Sequence, residues 1–302
     1  KKINPEIIMC SISFAGQEGP LANEPGFDYM AAAYAGITEM IGENDRSPSQ
    51  VSMAVGDSAT GISAAMAVVV ALLHRERTGE GQFIDCSLLD TYLQMHEDYI
   101  PRVGLRGDAA SPERSGSQHP NGGPTGIFEC GDGSFLQMMI MPYQWPRLLQ
   151  AIGMPELEKD TRFNSPQNRR KNKYELQGII EQWMAKIGDR QDILTILKDQ
   201  RVPVAPVLTL QEAINHPHAI QRGAIRQIKD PFIGNFPIPG QPPIFSKWSH
   251  KNELRAPLLG EHNEEILTTI CGLDKSEIVA LHENGIINTD PTFLESPPDP
   301  LK

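Results

Sequence analysis

The chain has 302 residues, enough for two domains that each bury a core without disulfides or structural metals. Its 27 basic and 38 acidic side chains leave a net charge of −11, which repels nucleic acid and anionic membrane surfaces at long range. The four cysteines, Cys10, Cys86, Cys130 and Cys271, stand singly with no C-x-x-C pair and no His at ligand spacing, so no metal site is expected and a reduced, cytoplasmic setting is.

An anionic ligand must then be held by a local cluster of Arg, Lys and backbone N–H groups. The first residues read as a polar turn entering a strand, with no Met at the start, so the sequence reads as the later part of a longer chain. Residues 7–13 are apolar and bounded by Pro5 and Gly16, the pattern of a buried parallel strand. After a loop rich in Gly and Pro, residues 27–41 have helical spacing, with Asp28 near the start and Gly42 at the end. Residues 51–56 form a short strand or turn, and Asp57 opens a helix that reaches about Arg77 and stops at Gly79. Ile62, Ala65, Met66, Val69, Val70 and Leu73 recur at i, i+3, i+4, i+7 spacing and predict a core helix. The longest apolar run, 62–73, is too short to cross a bilayer, and no signal peptide precedes it.

Residues 82–86 read as a strand and 87–99 as a helix, so this part of the chain alternates β and α. Gly and Pro crowd between 101 and 124, which predicts a linker or mobile loop. Residues 126–130 and 134–141 flank Gly131-Asp132-Gly133, a hairpin signal. Helices follow over 144–152, 172–186 and 190–200, with a strand near 204–207. Residues 230–257 are extended, and 261–271 and 275–283 are helical. There is no internal repeat.

The stretch with most chemistry in it is Gly56-Asp57-Ser58-Ala59-Thr60-Gly61, followed by residues 75–85. Free N–H groups and the helix dipole stabilise a carboxylate at a helix N-terminus as the anion, which leaves it competent as a nucleophile. The plainer reading of Asp57 is an N-cap. Gly56 and Gly61 bracket it with residues that lack a Cβ and so permit close approach of a backbone or ligand.

At these residues the sequence resembles the family III CoA-transferases (the CaiB/BaiF family), the group that includes formyl-CoA transferase. The matching text runs from Asn4-Pro5-Glu6 and Gly19-Pro20 through Gly26-Phe27-Asp28, residues 56–61 and residues 75–85. It continues with Asp160-Thr161-Arg162-Phe163, residues 201–207 and residues 256–262, in order along nearly the whole chain. The resemblance implies an α/β fold: a large Rossmann-like domain with parallel strands (1–115), a smaller α/β domain (116–228) and a tail returning to the large domain (229–302). It also implies an interlocked homodimer, with much of the CoA adenine and phosphate site in an N-terminal part missing from this sequence.

The function implied is transfer of CoA from an acyl-CoA to a carboxylic acid, with Asp57 as nucleophile, coenzyme A only as substrate, and no permanent cofactor, metal, nucleic-acid or membrane partner. Backbone N–H groups between Gly56 and Gly61 are candidate oxyanion donors. Asp28 matches an acid near the nucleophile and is otherwise a helix-start acid, while the Gln that commonly follows it in the family is here Ala32. Gly122 and Gly123 match a glycine-rich covering loop, and equally an interdomain turn. His216 and His218 read as a solvated loop, Asp85 and Asp90 as caps of a strand end and the following helix, and Arg75 and Arg77 as a helix C-terminal end. The basic run 169–173 reads as a solvated helix entrance or a phosphate contact.

Two other readings share the fold. Racemisation needs two acid–base groups on opposite faces of the α-carbon, and resemblance to the α-methylacyl-CoA racemase branch of the family puts one of them, a His there, at Phe27, which cannot exchange a proton. A non-catalytic CoA-binding protein is opposed by the intact Asp57 and its two glycines.

Overall fold

Strand β1 (Met9–Ser13) lies parallel to β2 (Phe83–Ser87), in register from Met9 opposite Phe83 to Ser13 opposite Ser87. Parallel strands need a crossover, and here it is helical: α1 (Asp28–Tyr34) and then α2 (Val55–Thr78). Helix α3 (Leu88–Gln94) leaves the end of β2, its first turn capped by Ser87, whose hydroxyl accepts the Asp90 N–H at 2.9 Å. Asp90 is therefore a first-turn acid and not the cap, while Asp85 lies within β2, where its Oδ2 accepts the Gln17 N–H at 2.8 Å. This computed structural model describes residues 3–230, 233–248 and 256–291, and the chain divides into two compact units, Lys1–Val207 and Leu208–Lys302.

Two cores occupy the first unit. The smaller joins Phe14, Ala31, Ala32, Ala35, Leu88 and Tyr92, where small alanines let α1 pack close to α3. The larger fills the space around a three-stranded antiparallel sheet of order β3-β4-β5. Its strands are β3 (Thr125–Glu129), β4 (Phe135–Met139) and β5 (Val204–Pro206), with Phe128 opposite Leu136 and Met138 opposite Val204. Helix α4 (Tyr99–Arg106) precedes β3, and α5 (Trp145–Ile152), α6 (Pro166–Lys171), α7 (Lys173–Ile187) and α8 (Arg190–Asp199) connect β4 to β5. The inward residues Phe128, Leu136 and Met138 alternate with exposed ones, as one buried sheet face requires.

In the second unit, α9 (Leu210–Ile214) and α10 (Pro217–Gln221) precede an antiparallel pair, β6 (Ile225–Asp230) and β7 (Gly234–Pro239). Helices α11 (Asn263–Thr269) and α12 (Lys275–Glu283) follow. Thus β7 falls inside the stretch 230–257 expected to be extended; residues 231–232 and 249–255 of that stretch lie outside the described residues.

Four expectations change. Residues 27–41 do not form one helix: α1 ends at Tyr34, and Gly36 adopts φ 77° in the turn that leads to a short 3-10 segment at Thr38–Met40. Residues 87–99 likewise split after Gln94, and α4 runs into the predicted linker. Helix α2 is not a core helix. Only Gly56, Thr60, Ala64 and Ala71 are buried in it, while Met66 is 66% and Val69 64% exposed, because no described element covers that face. Strand β1 is similarly open at Met9 and Ile12. At 24 residues α2 is also long and apolar enough, by length and composition, to cross a bilayer, a test that core helices of soluble proteins pass as well, so the 62–73 run alone does not decide that question.

Candidate active site

The α2 N-terminus is built around the backbone and not around Asp57 as a cap. The N-cap is Ala54, with no side-chain cap hydrogen bond, and Asp57 is the acid of the first turn, its side chain exposed. The two N–H groups that a cap would serve are satisfied from other elements. Asp28, the first residue of α1 and only 4% exposed, accepts the Asp57 N–H on Oδ2 at 3.0 Å. Tyr92 of α3 accepts the Gly56 N–H on its hydroxyl at 3.0 Å, and that hydroxyl donates in turn to Asp28 Oδ1 through a short hydrogen bond.

Gly56 is required by this arrangement. A Cβ at that position would stand 2.3 Å from the Tyr92 ring, so only glycine lets the phenol reach the helix end. At Gly61 an added Cβ would meet nothing within 4 Å, and the freedom expected there is not used by any described neighbour. Burial is the main reason that the Tyr92 phenol is pushed up to about 12, followed by its hydrogen bond to Asp28; the charges of Asp28 and Asp57 add to this and the Gly56 N–H opposes it. The phenol therefore stays protonated and hydrogen-bonds to the Asp28 carboxylate.

The structure thus brings Asp28, Gly56 and Asp57 together. It does not supply the oxyanion donors expected in this turn: the Gly56 and Asp57 N–H groups are taken by Tyr92 and Asp28, and the Ser58 N–H bonds the Ala54 carbonyl at 3.1 Å. Gly122 and Gly123 lie elsewhere in the unit, where added Cβ atoms would come to 3.1 Å from Thr125 and 3.0 Å from the Arg169 carbonyl. No described hydrogen bond or ion pair ties them to Asp57. Phe27, the N-cap of α1, is 73% exposed.

Tyr92 was not singled out in the sequence, although a signal for it was there. Leu88, Thr91 and Tyr92 share the buried face of α3, and a tyrosine on such a face needs a partner for its hydroxyl. Of the other groups, His216 is not free in a loop, since its Nδ1 accepts the His218 N–H at 3.2 Å and caps α10. Arg169 is buried, donating to the Phe163 carbonyl at 2.8 Å and lying 4.7 Å from the centre of the Trp145 ring. Gly79 ends α2 with φ 74°, one residue beyond Thr78 and two beyond Arg77. Among the described residues, no group of three or more His, Cys, Asp and Glu side chains is gathered as for a metal ion.

The sequence matches the family described as CoA-transferase family III over residues 1–263. It is 33% identical over 287 residues to succinyl-CoA–D-citramalate CoA-transferase of Chloroflexus aurantiacus, covering 94% of this chain and 70% of that one. It is 29% identical over 295 residues to succinyl-CoA:glutarate CoA-transferase of Mus musculus, covering 96% of this chain and 66% of that protein. The crystal structure of a CaiB/BaiF family protein from Brucella suis superposes with a TM-score of 0.74 at 31% identity, over 92% of this chain and 69% of that one. The chain therefore spans 66–70% of the length of these relatives.

Proposed function

The chain belongs to CoA-transferase family III, and from that premise we propose that it moves CoA from an acyl-CoA to a free carboxylic acid by way of a covalent intermediate on Asp57. The Chloroflexus aurantiacus and Mus musculus relatives are named as succinyl-CoA CoA-transferases, which supports carboxylic acids as donor and acceptor. One observation carries the assignment to this residue: of the two acids at the α2 N-terminus, Asp28 is buried and fully engaged, and Asp57 is exposed with its carboxylate free of described hydrogen bonds.

The steps balance without any further reactant. The Asp57 carboxylate attacks the thioester carbonyl and expels CoA thiolate, giving a mixed anhydride. The thiolate then attacks the aspartyl carbonyl and releases the donor acid, leaving Asp57 as a CoA thioester. The acceptor carboxylate attacks that thioester to form a second anhydride, and the thiolate finally takes the acceptor acyl group and returns the carboxylate to Asp57. Splitting one acyl exchange into four substitutions lowers each barrier. The contribution of Asp28 and Tyr92 is positional: they hold the first turn of α2 so that the Asp57 carboxylate faces outward at a fixed point.

The oxyanions formed along this route need donors other than the Gly56 and Asp57 N–H groups, which are already in use. The finer expectations go with the same proposal: a Rossmann-like large domain of which β1 and β2 form the parallel part, boundaries near residues 115 and 228, an interlocked homodimer, and a reduced cytoplasmic setting in keeping with four unpaired cysteines. Incubation with succinyl-CoA followed by mass spectrometry is expected to show a hydroxylamine-sensitive adduct on Asp57. Transfer activity without any such adduct in the wild type, or undiminished in Asp57→Ala, overturns the assignment. Exchange of deuterium at C2 without CoA transfer would indicate a racemase, and binding of acyl-CoA with neither reaction a binding protein.

A further inference from the structure

We propose that the cavity between α4 and the α6–α7 junction is a binding site for an organic anion carrying two or more negative charges. Its volume is about 870 Å³, and four cations line it: Arg102 and Arg106, one turn apart on α4, with Arg170 at the end of α6 and Lys173 at the start of α7. Two acids line it as well, Asp98 and Glu113. Asp98 is already committed to Arg102 through an ion pair at i, i+4 spacing. Arg106, Arg170 and Lys173 form no ion pair with any described residue, so three cations face Glu113 alone.

Such a cluster is costly in a free protein unless an anion occupies it, because like charges on a low-dielectric wall repel. Lys173 shows the effect: burial holds its ammonium below the usual lysine range first, the Arg170 charge lowers it further, and Glu113 offsets only part of this. The chain carries a net charge of −11, yet the lining of this cavity holds four cations against two acids. The cations come from three separate elements, which suits a ligand presenting charge at more than one point. A single carboxylate would satisfy one or two of them.

The remaining wall adds an apolar ledge of Pro101, Leu105, Pro112 and Pro120, and Asn121 contributes an amide. This combination suits the phosphates of a CoA thioester or a di-acid with a carbon skeleton to lay against the ledge. None of the lining residues belongs to the Asp28, Tyr92 and Asp57 group, so this site stands or falls apart from the covalent step on Asp57.

The test is differential acylation of Lys173 in the full chain, read by mass spectrometry, with pyrophosphate, adenosine 3′,5′-bisphosphate or succinate present, and acetate and sodium chloride at equal ionic strength as references. Slowed labelling of Lys173 by the phosphates alone supports the site and assigns it to the phosphate end of CoA; slowed labelling by succinate alone supports it and assigns it to a second carboxylate. The double variant Arg106→Gln, Arg170→Gln is expected to raise the half-protecting concentration by roughly tenfold or more, the loss expected when charge-assisted hydrogen bonds are removed. If the double variant does not fold, Arg106→Gln alone, on an exposed position of α4, serves with a smaller shift in the same direction. Equal protection by acetate or salt, no protection by any probe, or undiminished protection in the folded variant overturns the proposal.

Discussion

The Tyr92 hydroxyl donates to Asp28 Oδ1 while accepting the Gly56 N–H at 3.0 Å, so one buried phenol links α1, α2 and α3 at the residue before Asp57. Both of its partners are shielded from water. Replacing Tyr92 by Phe keeps the ring that packs on Gly56 but leaves an N–H and one lobe of a carboxylate unpaired, at a cost of about 1–3 kcal/mol. Urea denaturation of Tyr92→Phe should show this as a lower midpoint with unchanged slope. An unaltered midpoint would mean that the phenol does not hold the turn.

Asp28 and Asp57 should separate cleanly in paired measurements. Asp57 is exposed, and its removal costs only its interaction with the helix dipole, within about 1 kcal/mol. Asp28 is buried and accepts two hydrogen bonds, so Asp28→Asn turns one acceptor into a donor facing the Tyr92 hydroxyl or the Asp57 N–H and should cost about 2 kcal/mol or more. Activity should invert this order: Asp57→Asn abolishes transfer in a stable protein, whereas Asp28→Asn lowers kcat in a destabilised one. Equal stability losses in the two variants would contradict the division of roles between them.

Much of this was legible in the sequence wherever period and punctuation agreed. The hairpin around Gly131-Asp132-Gly133, the helices over α5, α7 and α8, and the stop of α2 at Gly79 depend on local signals, and the structure forms them close to where the pattern puts them. The acid pair was half legible. Asp57 stood out through its glycines, but the reason for Gly56 lies 36 residues away in Tyr92, a contact that no local spacing encodes. Burial was the least legible property. The apolar stripe of α2 reads as core, yet periodicity says only that a face is apolar, and no described element covers this one.

Gly56 and Gly61 should respond in opposite directions to the same substitution. Gly56→Ala forces a methyl to within 2.3 Å of the Tyr92 ring, so ring or helix must shift, and overpacking of this kind costs about 1–3 kcal/mol. At Gly61 an added Cβ meets nothing within 4 Å, and alanine in a helix interior is favoured over glycine by about 0.5–1 kcal/mol. Thermal unfolding of the two variants should therefore bracket the wild type. A Gly61→Ala variant that loses stability would show that the open face of α2 is covered by something that the described residues do not contain.

The Tyr92 phenol also sets a pH signature. Its ordinary value is 10.0 and the folded state raises it to about 12, so the folded protein holds this proton more tightly than the unfolded chain does. The stabilisation is complete below pH 10 and is lost as the pH rises through 12, when the unfolded phenol ionises first and draws the equilibrium toward the unfolded chain. The unfolding free energy of the wild type should therefore fall more steeply across that interval than that of Tyr92→Phe. Taking the difference between the two curves cancels the titration of the lysines, the cysteines and the other tyrosines, which both proteins share. Parallel curves would show that the phenol ionises as readily folded as unfolded, which is incompatible with a buried hydroxyl donating to the Asp28 carboxylate.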